Sequence, residues 1–153
     1  MPTAAGGPSD GGSDFESPEE MMGEYAELFI GAATQPGEAV TRDDFDYSVP
    51  SLAHLDAYLG HYHDHGKPLP DGNHVAASAY LFETLRRAHG GRYLSGPETD
   101  PWVLVVGEPD CRIGVLAMSK VRGRAVHGME DNIPFFVDGL PGLLERGQDA
   151  TLT

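Results

Sequence analysis

Apolar side chains recur with the period of an α-helix in three stretches before residue 90. They predict helices over residues 17–34, 50–65 and 73–89. Ser17-Pro18 is a typical helix start, with an N-cap followed by proline in the first turn, and Gly90-Gly91 is a strong C-terminal stop. The side chains expected to face the core are Met21, Tyr25, Leu28 and Phe29 in the first helix, Leu52, Leu55, Leu59 and Tyr62 in the second, and Ala77, Leu81, Leu85 and Ala88 in the third.

After Gly91 the pattern becomes that of β-strands. The runs 92–94, 102–106 and 112–118 are short and apolar, and turn-forming residues separate them, which favours an antiparallel meander. A short helix is predicted from Ser119 to His127, and a last helical segment from Ile133, which Pro141 interrupts. The predicted fold class is α+β, with N-terminal helices packed on a small antiparallel sheet and followed by C-terminal helices.

The length of 153 residues is typical of one domain. Residues 1–17 are rich in Gly, Ser, Pro and Asp, and they are predicted to form a disordered acidic tail because they cannot bury enough apolar surface to offset the entropy of ordering. Residues 18–147 are predicted to form the single α+β domain, and residues 148–153 a frayed C-terminus.

Negative charge is concentrated at the beginning of the chain. Residues 1–50 hold eleven carboxylates and one base, Arg42, for a net charge of −10, whereas the other 103 residues carry only −4. Most of these acids lie on the first predicted helix and on the connector after it, so we expect them to be presented on folded structure. The residues predicted to bind a partner are Glu19, Glu20, Glu24, Glu27, Asp43, Asp44 and Asp46.

This charge distribution limits the partners to be expected. A chain of net charge −14 lacks the basic face that nucleic acids require, whereas a protein with a basic surface would be attracted to it. The longest apolar runs are about five residues, against the roughly 18 needed to cross a bilayer, so no membrane partner is predicted. The first residues lack the basic and apolar regions of a secretory signal, and with one cysteine we expect a cytoplasmic protein. The oligomeric state stays open.

Histidines form the one cluster with possible metal chemistry. On an ideal helix, His61 and His65 lie one turn apart on the same face, with His54 two to three turns away near the same angle. Such a pair could bind a transition metal if Asp64 or His74 supplied a third ligand. The string matches no established metal motif, however, and surface histidines at the edge of the core are the alternative interpretation.

Motifs for nucleophilic or cofactor-dependent catalysis are missing from the sequence. It has no Gly-X-Ser-X-Gly elbow and no phosphate-binding loop, so neither a catalytic residue nor a cofactor is predicted. We interpret Cys111 as a structural half-buried thiol and Trp102 as a core residue. Glu83 is expected to face outward and to pair with Arg86 or Arg87.

From Asp46 to about Leu143 the chain resembles a small bacterial α/β domain family that is common in high-GC genomes. The residues that carry this resemblance are Asp46-Tyr47-Ser48, Ser51-Leu52, Leu55-Asp56, Ala79-Tyr80-Leu81, Glu83, Leu85, Gly90-Gly91-Arg92-Tyr93, Ser119-Lys120-Val121 and the stretch 131–136. The resemblance implies helices packed on a small sheet. It implies no reaction and no catalytic residue.

The sequence therefore favours a non-enzymatic, acidic protein-interaction module that binds a basic protein, as an immunity protein, an antitoxin or an adaptor would. Two alternatives stay open at this point. One is a metal-dependent enzyme that uses His61 and His65, and the other is a structural subunit of a larger assembly.

Overall fold

The computed structural model describes residues 15–153, and within them the fold is α+β. The predicted disorder of residues 1–14 lies outside the described residues. The elements in chain order are α1 Pro18–Ala33, α2 Leu52–Asp64, α3 Asp71–His89, β1 Arg92–Ser95, β2 Trp102–Val106, β3 Ile113–Val115, α4 Ala117–His127, α5 Ile133–Asp138, α6 Leu140–Arg146 and β4 Ala150–Leu152, with short 3-10 turns at Arg42–Asp44, Val49–Ser51 and Gly128–Asp131. The predicted helices and the three predicted strands are confirmed to within a few residues.

The first helix begins as its sequence indicates. The side chain of Ser17 accepts a hydrogen bond from the Glu20 N–H at 3.1 Å, and Pro18 occupies the first turn. Residues 15–17, which were predicted to belong to a disordered tail, are therefore part of the helix start. Near the other end of the chain, α5 and α6 divide next to Pro141, as predicted.

The sheet has four strands in the order β1-β2-β3-β4, and it is mixed. β1, β2 and β3 form the predicted antiparallel meander, whereas β4 runs parallel to β3. The prediction that residues 148–153 are frayed is therefore wrong. The Ala150 N–H donates to the Arg112 carbonyl at 3.1 Å, and the Leu116 N–H to the Leu152 carbonyl at 2.9 Å. A three-residue strand whose partner is distant in the chain has no local pattern to reveal it.

Helix α3 is the central element, because it packs against α1, α4 and β2. Every residue from Ala77 to Leu85 is buried, so the expected division into an inner and an outer face is wrong for this helix. Glu83, predicted to face outward, is 2% exposed. The buried face of α1 is also rotated from the predicted one, since it consists of Met22, Ala26, Phe29, Ile30 and Ala33, while Leu28 is 64% exposed.

A nearly buried ion pair joins three helices. Arg124 of α4 donates to both carboxylate oxygens of Asp56 on α2, at 2.9 and 3.3 Å. Asp56 also accepts the backbone N–H of Ile133, the first residue of α5, at 2.8 Å. The guanidinium lies against Gly60, where a β-carbon would come within 2.6 Å of Nη2. A side chain at this position of α2 would therefore have to displace the guanidinium from its pairing with Asp56.

Candidate functional site

The predicted partner-binding acids lie on the outer side of α1 and on the connector that follows it. Helical geometry places Glu20, Glu24 and Glu27 on one face of α1, opposite the buried face, and all three are exposed. We call these three residues, together with Glu19, Asp43, Asp44 and Asp46, the acidic surface.

Contacts of Glu27 bring the two parts of the acidic surface together. Its carboxylate forms an ion pair with Arg42 and accepts a hydrogen bond from the Tyr47 hydroxyl at 2.7 Å. Tyr47 has a positive φ of 64° and stacks on the buried Tyr80 ring, with centroids 5.0 Å apart. The connector is thereby held against α1 at Glu27.

Two of the connector acids stabilise the connector itself. Asp44 accepts the Thr41 N–H at 2.8 Å, and Asp46 accepts both the N–H and the hydroxyl of Ser48, at 3.0 and 2.5 Å. The hydrogen bond from the Ser48 hydroxyl holds the pKa of Asp46 below its usual value. These carboxylates contribute charge to the surface, but they already accept hydrogen bonds from donors within the connector.

Only some of the carboxylates that were predicted to bind a partner therefore have oxygens without a hydrogen bond inside the protein. Among the described residues, Glu19, Glu24 and Asp43 form no hydrogen bond or ion pair, and Glu20 accepts only the N–H of Glu16. Even with Arg42 counted, the acidic surface carries a net charge of −6. The carboxylate oxygens that accept no hydrogen bond therefore lie mainly in the first half of α1.

The histidines predicted as metal ligands are brought only partly together. His61 and His65 have ring centroids 4.1 Å apart, and Nδ1 of His65 is 2.9 Å from the His61 carbonyl oxygen. His54 lies beside Phe45 and 3.9 Å from Asp44 instead. Within residues 15–153, no group of three or more His, Cys, Asp or Glu side chains is arranged to hold a metal ion. The structure therefore offers the pair no third ligand among its described residues.

His74, considered in the sequence as a possible third ligand, has a different role. It is buried, and its Nε2 donates to the Met118 carbonyl at 2.6 Å, which leaves Nδ1 as the acceptor for Arg122 Nη2 at 3.1 Å. Burial lowers the pKa of His74, and the Arg122 guanidinium lowers it further because a second positive charge would face it. The residue is thus a neutral link between α3 and α4.

An open cleft of about 610 Å³ lies next to this link. Its walls come from the start of α3, the loop between β1 and β2, and α4. Besides His74, the polar side chains that line it are Asp71, Glu98, Thr99, Ser119, Arg122 and His127. Arg122 is half-exposed and lies 3.5 Å from Asp71, so the cleft holds charges of both signs.

A smaller apolar cavity of about 220 Å³ adjoins the cleft. The two share Val75, Pro101 and Met118, and the cavity is further lined by Met21, Met22, Tyr25, Ser78, Phe82 and Trp102. Ser78 is 1% exposed, and its hydroxyl is the one buried side-chain polar atom in the described part of the chain that has no hydrogen-bond partner. The sequence does not single out this residue, because a serine between alanines on a helix carries no distinguishing pattern.

Glu83 is the other polar residue whose environment the sequence did not reveal. Arg86 donates two hydrogen bonds to it, at 2.8 and 3.0 Å, and the Tyr93 hydroxyl donates one at 2.7 Å. Burial and the neighbouring carboxylate raise the pKa of the Tyr93 phenol. The predicted pairing with Arg86 is therefore confirmed, although it fixes β1 on α3 inside the protein instead of lying at the surface.

Comparison of the chain with models of protein families, with curated proteins and with solved structures finds no match. None of the helices in residues 15–153 is long and apolar enough to cross a membrane.

Proposed function

We propose that this protein is a non-enzymatic interaction module that binds a basic protein partner through its acidic surface. The observation that carries the proposal is the contact of Arg42 and Tyr47 with Glu27. It joins the acids of the connector to those of α1 in a single folded surface. Arg42 is the only base between residues 15 and 50, and it is paired with Glu27 in that contact. The remaining carboxylates of this segment therefore have no positively charged partner within it.

Charge of one sign on a rigid surface accelerates association with a partner of opposite sign. Such steering raises association rates by about 10- to 1,000-fold at low ionic strength, and salt screens it over roughly 10 Å. Glu19 and Glu27 lie about 12 Å apart along the axis of α1, which is close to the screening length at physiological salt, so the carboxylates between them act on a partner together. An inhibitor of a basic toxin, as in immunity or antitoxin pairs, and an adaptor for a basic protein both fit this behaviour.

The test begins with capture of partners on the purified full chain, followed by binding kinetics with the partner so identified. The variant Glu19→Gln/Glu20→Gln/Glu24→Gln removes three charges from the acidic surface. Its matched control, Glu98→Gln/Glu130→Gln/Glu145→Gln, removes the same charge from exposed positions elsewhere. We expect the first variant to slow association by about tenfold at 50 mM salt and the control to change it little.

Two further conditions sharpen the result. Raising the salt concentration to 300 mM should reduce the wild-type association rate towards that of the acidic-surface variant, and deleting residues 1–16 should leave binding largely intact. An acidic partner, or association that responds neither to salt nor to the α1 substitutions, would contradict the proposal.

A further inference from the structure

We propose that the cavity beneath α1 is a binding site for a small neutral molecule with an apolar body and one hydrogen-bonding group. The geometric basis is Ser78, which belongs to the lining of this mainly apolar cavity and whose buried hydroxyl has no partner among the described residues. Nearly all buried polar atoms in proteins are hydrogen-bonded, so a buried hydroxyl without a partner marks a position that a bound group is expected to complete.

The lining of the cavity defines the chemistry of the occupant. Its side chains include three methionines and the rings of Phe82 and Trp102, and no charged residue contributes to it. A charged ligand would lose its hydration without compensation here, whereas methionine and aromatic side chains adapt to varied apolar shapes. The volume of about 220 Å³ exceeds the roughly 150 Å³ of a protein cavity that accepts benzene. A single substituted ring or a short branched chain therefore fits.

The outer cleft shares part of its wall with the cavity. Both spaces are bounded by Met118, whose backbone carbonyl is held by His74 at 2.6 Å. The anchored backbone leaves the flexible thioether side chain as the movable part of the wall. A ligand would pass this side chain from the cleft, and rotation of the buried Ser78 side chain about χ1 would bring its hydroxyl to the polar group of the ligand.

Residues 1–14 are poorly suited to occupy the site themselves. Their side chains are almost entirely those of Gly, Ser, Pro, Asp and Ala, so beyond Met1 they include no large apolar group. The cavity lining includes none of the carboxylates of the acidic surface, so ligand binding there does not depend on the proposed partner.

The chain carries its own reporters for a direct test. Three of its five methionines, Met21, Met22 and Met118, line the cavity, whereas Met129 is 66% exposed on the surface and serves as an internal control. The single tryptophan, Trp102, also lines it. Full-length protein labelled at the methionine methyl groups is titrated with benzyl alcohol and, separately, with toluene, while Trp102 fluorescence is recorded in parallel.

We expect benzyl alcohol to shift the Met21, Met22 and Met118 methyl resonances to saturation, to leave Met129 unchanged, and to alter Trp102 emission with the same midpoint. Ser78→Ala should weaken benzyl alcohol binding by about fivefold, the effect of one neutral hydrogen bond, without changing toluene binding. Ser119→Ala, at the rim of the outer cleft, is the matched control and should change neither.

Four results would overturn the inference. The first is that the cavity methyl resonances stay unshifted at millimolar probe, as they would if only water entered. The second is that all four methyl resonances shift together without saturation, as in non-specific partitioning. The third and fourth are that Ser78→Ala weakens the binding of both probes equally, or the binding of neither. Ser78→Ala removes a buried hydroxyl without a partner, so the variant is expected to fold and the comparison to remain possible.

Discussion

Arg124→Met is expected to destabilise the protein far more than the same substitution at Arg92. Both arginines donate two hydrogen bonds to a carboxylate, Arg124 to Asp56 at 2.9 and 3.3 Å and Arg92 to Glu108 at 2.8 and 3.1 Å. They differ in environment. The side chains of the first pair are 7% and 13% exposed, and those of the second are 52% and 32% exposed.

Burial determines the size of the effect. Removing one partner of a buried ion pair leaves an uncompensated charge and costs about 3–5 kcal/mol, whereas a surface pair contributes about 0–1 kcal/mol. Asp56 keeps one hydrogen bond, from the Ile133 N–H, so we expect the lower value, about 3 kcal/mol, for Arg124→Met. In a domain of this size the melting temperature should fall by about 10 °C. Arg92→Met should lower it by no more than a few degrees.

Urea denaturation followed by circular dichroism at 222 nm measures both variants against the wild type. Arg124→Met/Asp56→Asn provides an internal check, because the amide removes the buried charge while its oxygen still accepts the Ile133 N–H. This double variant should recover part of the lost stability. If Arg124→Met and Arg92→Met cost the same, or if Asp56→Asn worsens the loss, the assignment of the cost to a buried unpaired charge is refuted.

Three further predictions concern buried positions. Gly60→Ala should lower the free energy of unfolding by about 2 kcal/mol, because the new β-carbon would displace the Arg124 guanidinium. Gly31→Ala on α1 has open space around it and should raise the free energy of unfolding by up to about 1 kcal/mol. Thermal unfolding of the two variants distinguishes the effect of packing from that of helix propensity. The pKa of His74 is lowered in the folded state, so the unfolded chain takes up a proton below about pH 6.5 that the folded protein resists. The contribution of His74 to stability is therefore complete above that pH and is lost as the pH falls. Between pH 7.5 and 5.0, the free energy of urea unfolding should change less in His74→Gln than in the wild type. An identical change in the two proteins would contradict this prediction. Ser78→Ala should raise the free energy of unfolding by about 1 kcal/mol in the absence of ligand, and a loss of stability would show that the hydroxyl is already paired.

Local sequence was sufficient for most of the secondary structure. Ser17-Pro18, Gly90-Gly91 and Pro141 act on the backbone within a few residues of their own positions, and the elements there begin, end or divide as predicted. The run from Trp102 to Val106 predicts a strand by composition alone. The α+β class follows from the order of these elements.

Tertiary structure decided which side chains are buried and which are available. The helical period on α3 predicted one apolar face, but α1, α4 and β2 surround this helix, so Glu83 and Ser78 are buried as completely as its leucines. Likewise, β4 exists because the edge of β3 supplies hydrogen-bond partners 37 residues earlier in the chain.

The acidic surface shows the same division. Composition and order along the chain determined that the first fifty residues carry the excess of negative charge. Only the contact of Glu27 with Arg42 and Tyr47 decided that helix and connector present it together, and only the hydrogen bonds of Asp44 and Asp46 decided which carboxylates remain uncommitted. The physical reason is range: capping, turn formation and periodicity act between neighbours in sequence, whereas burial and pairing depend on residues that meet only when the chain has folded.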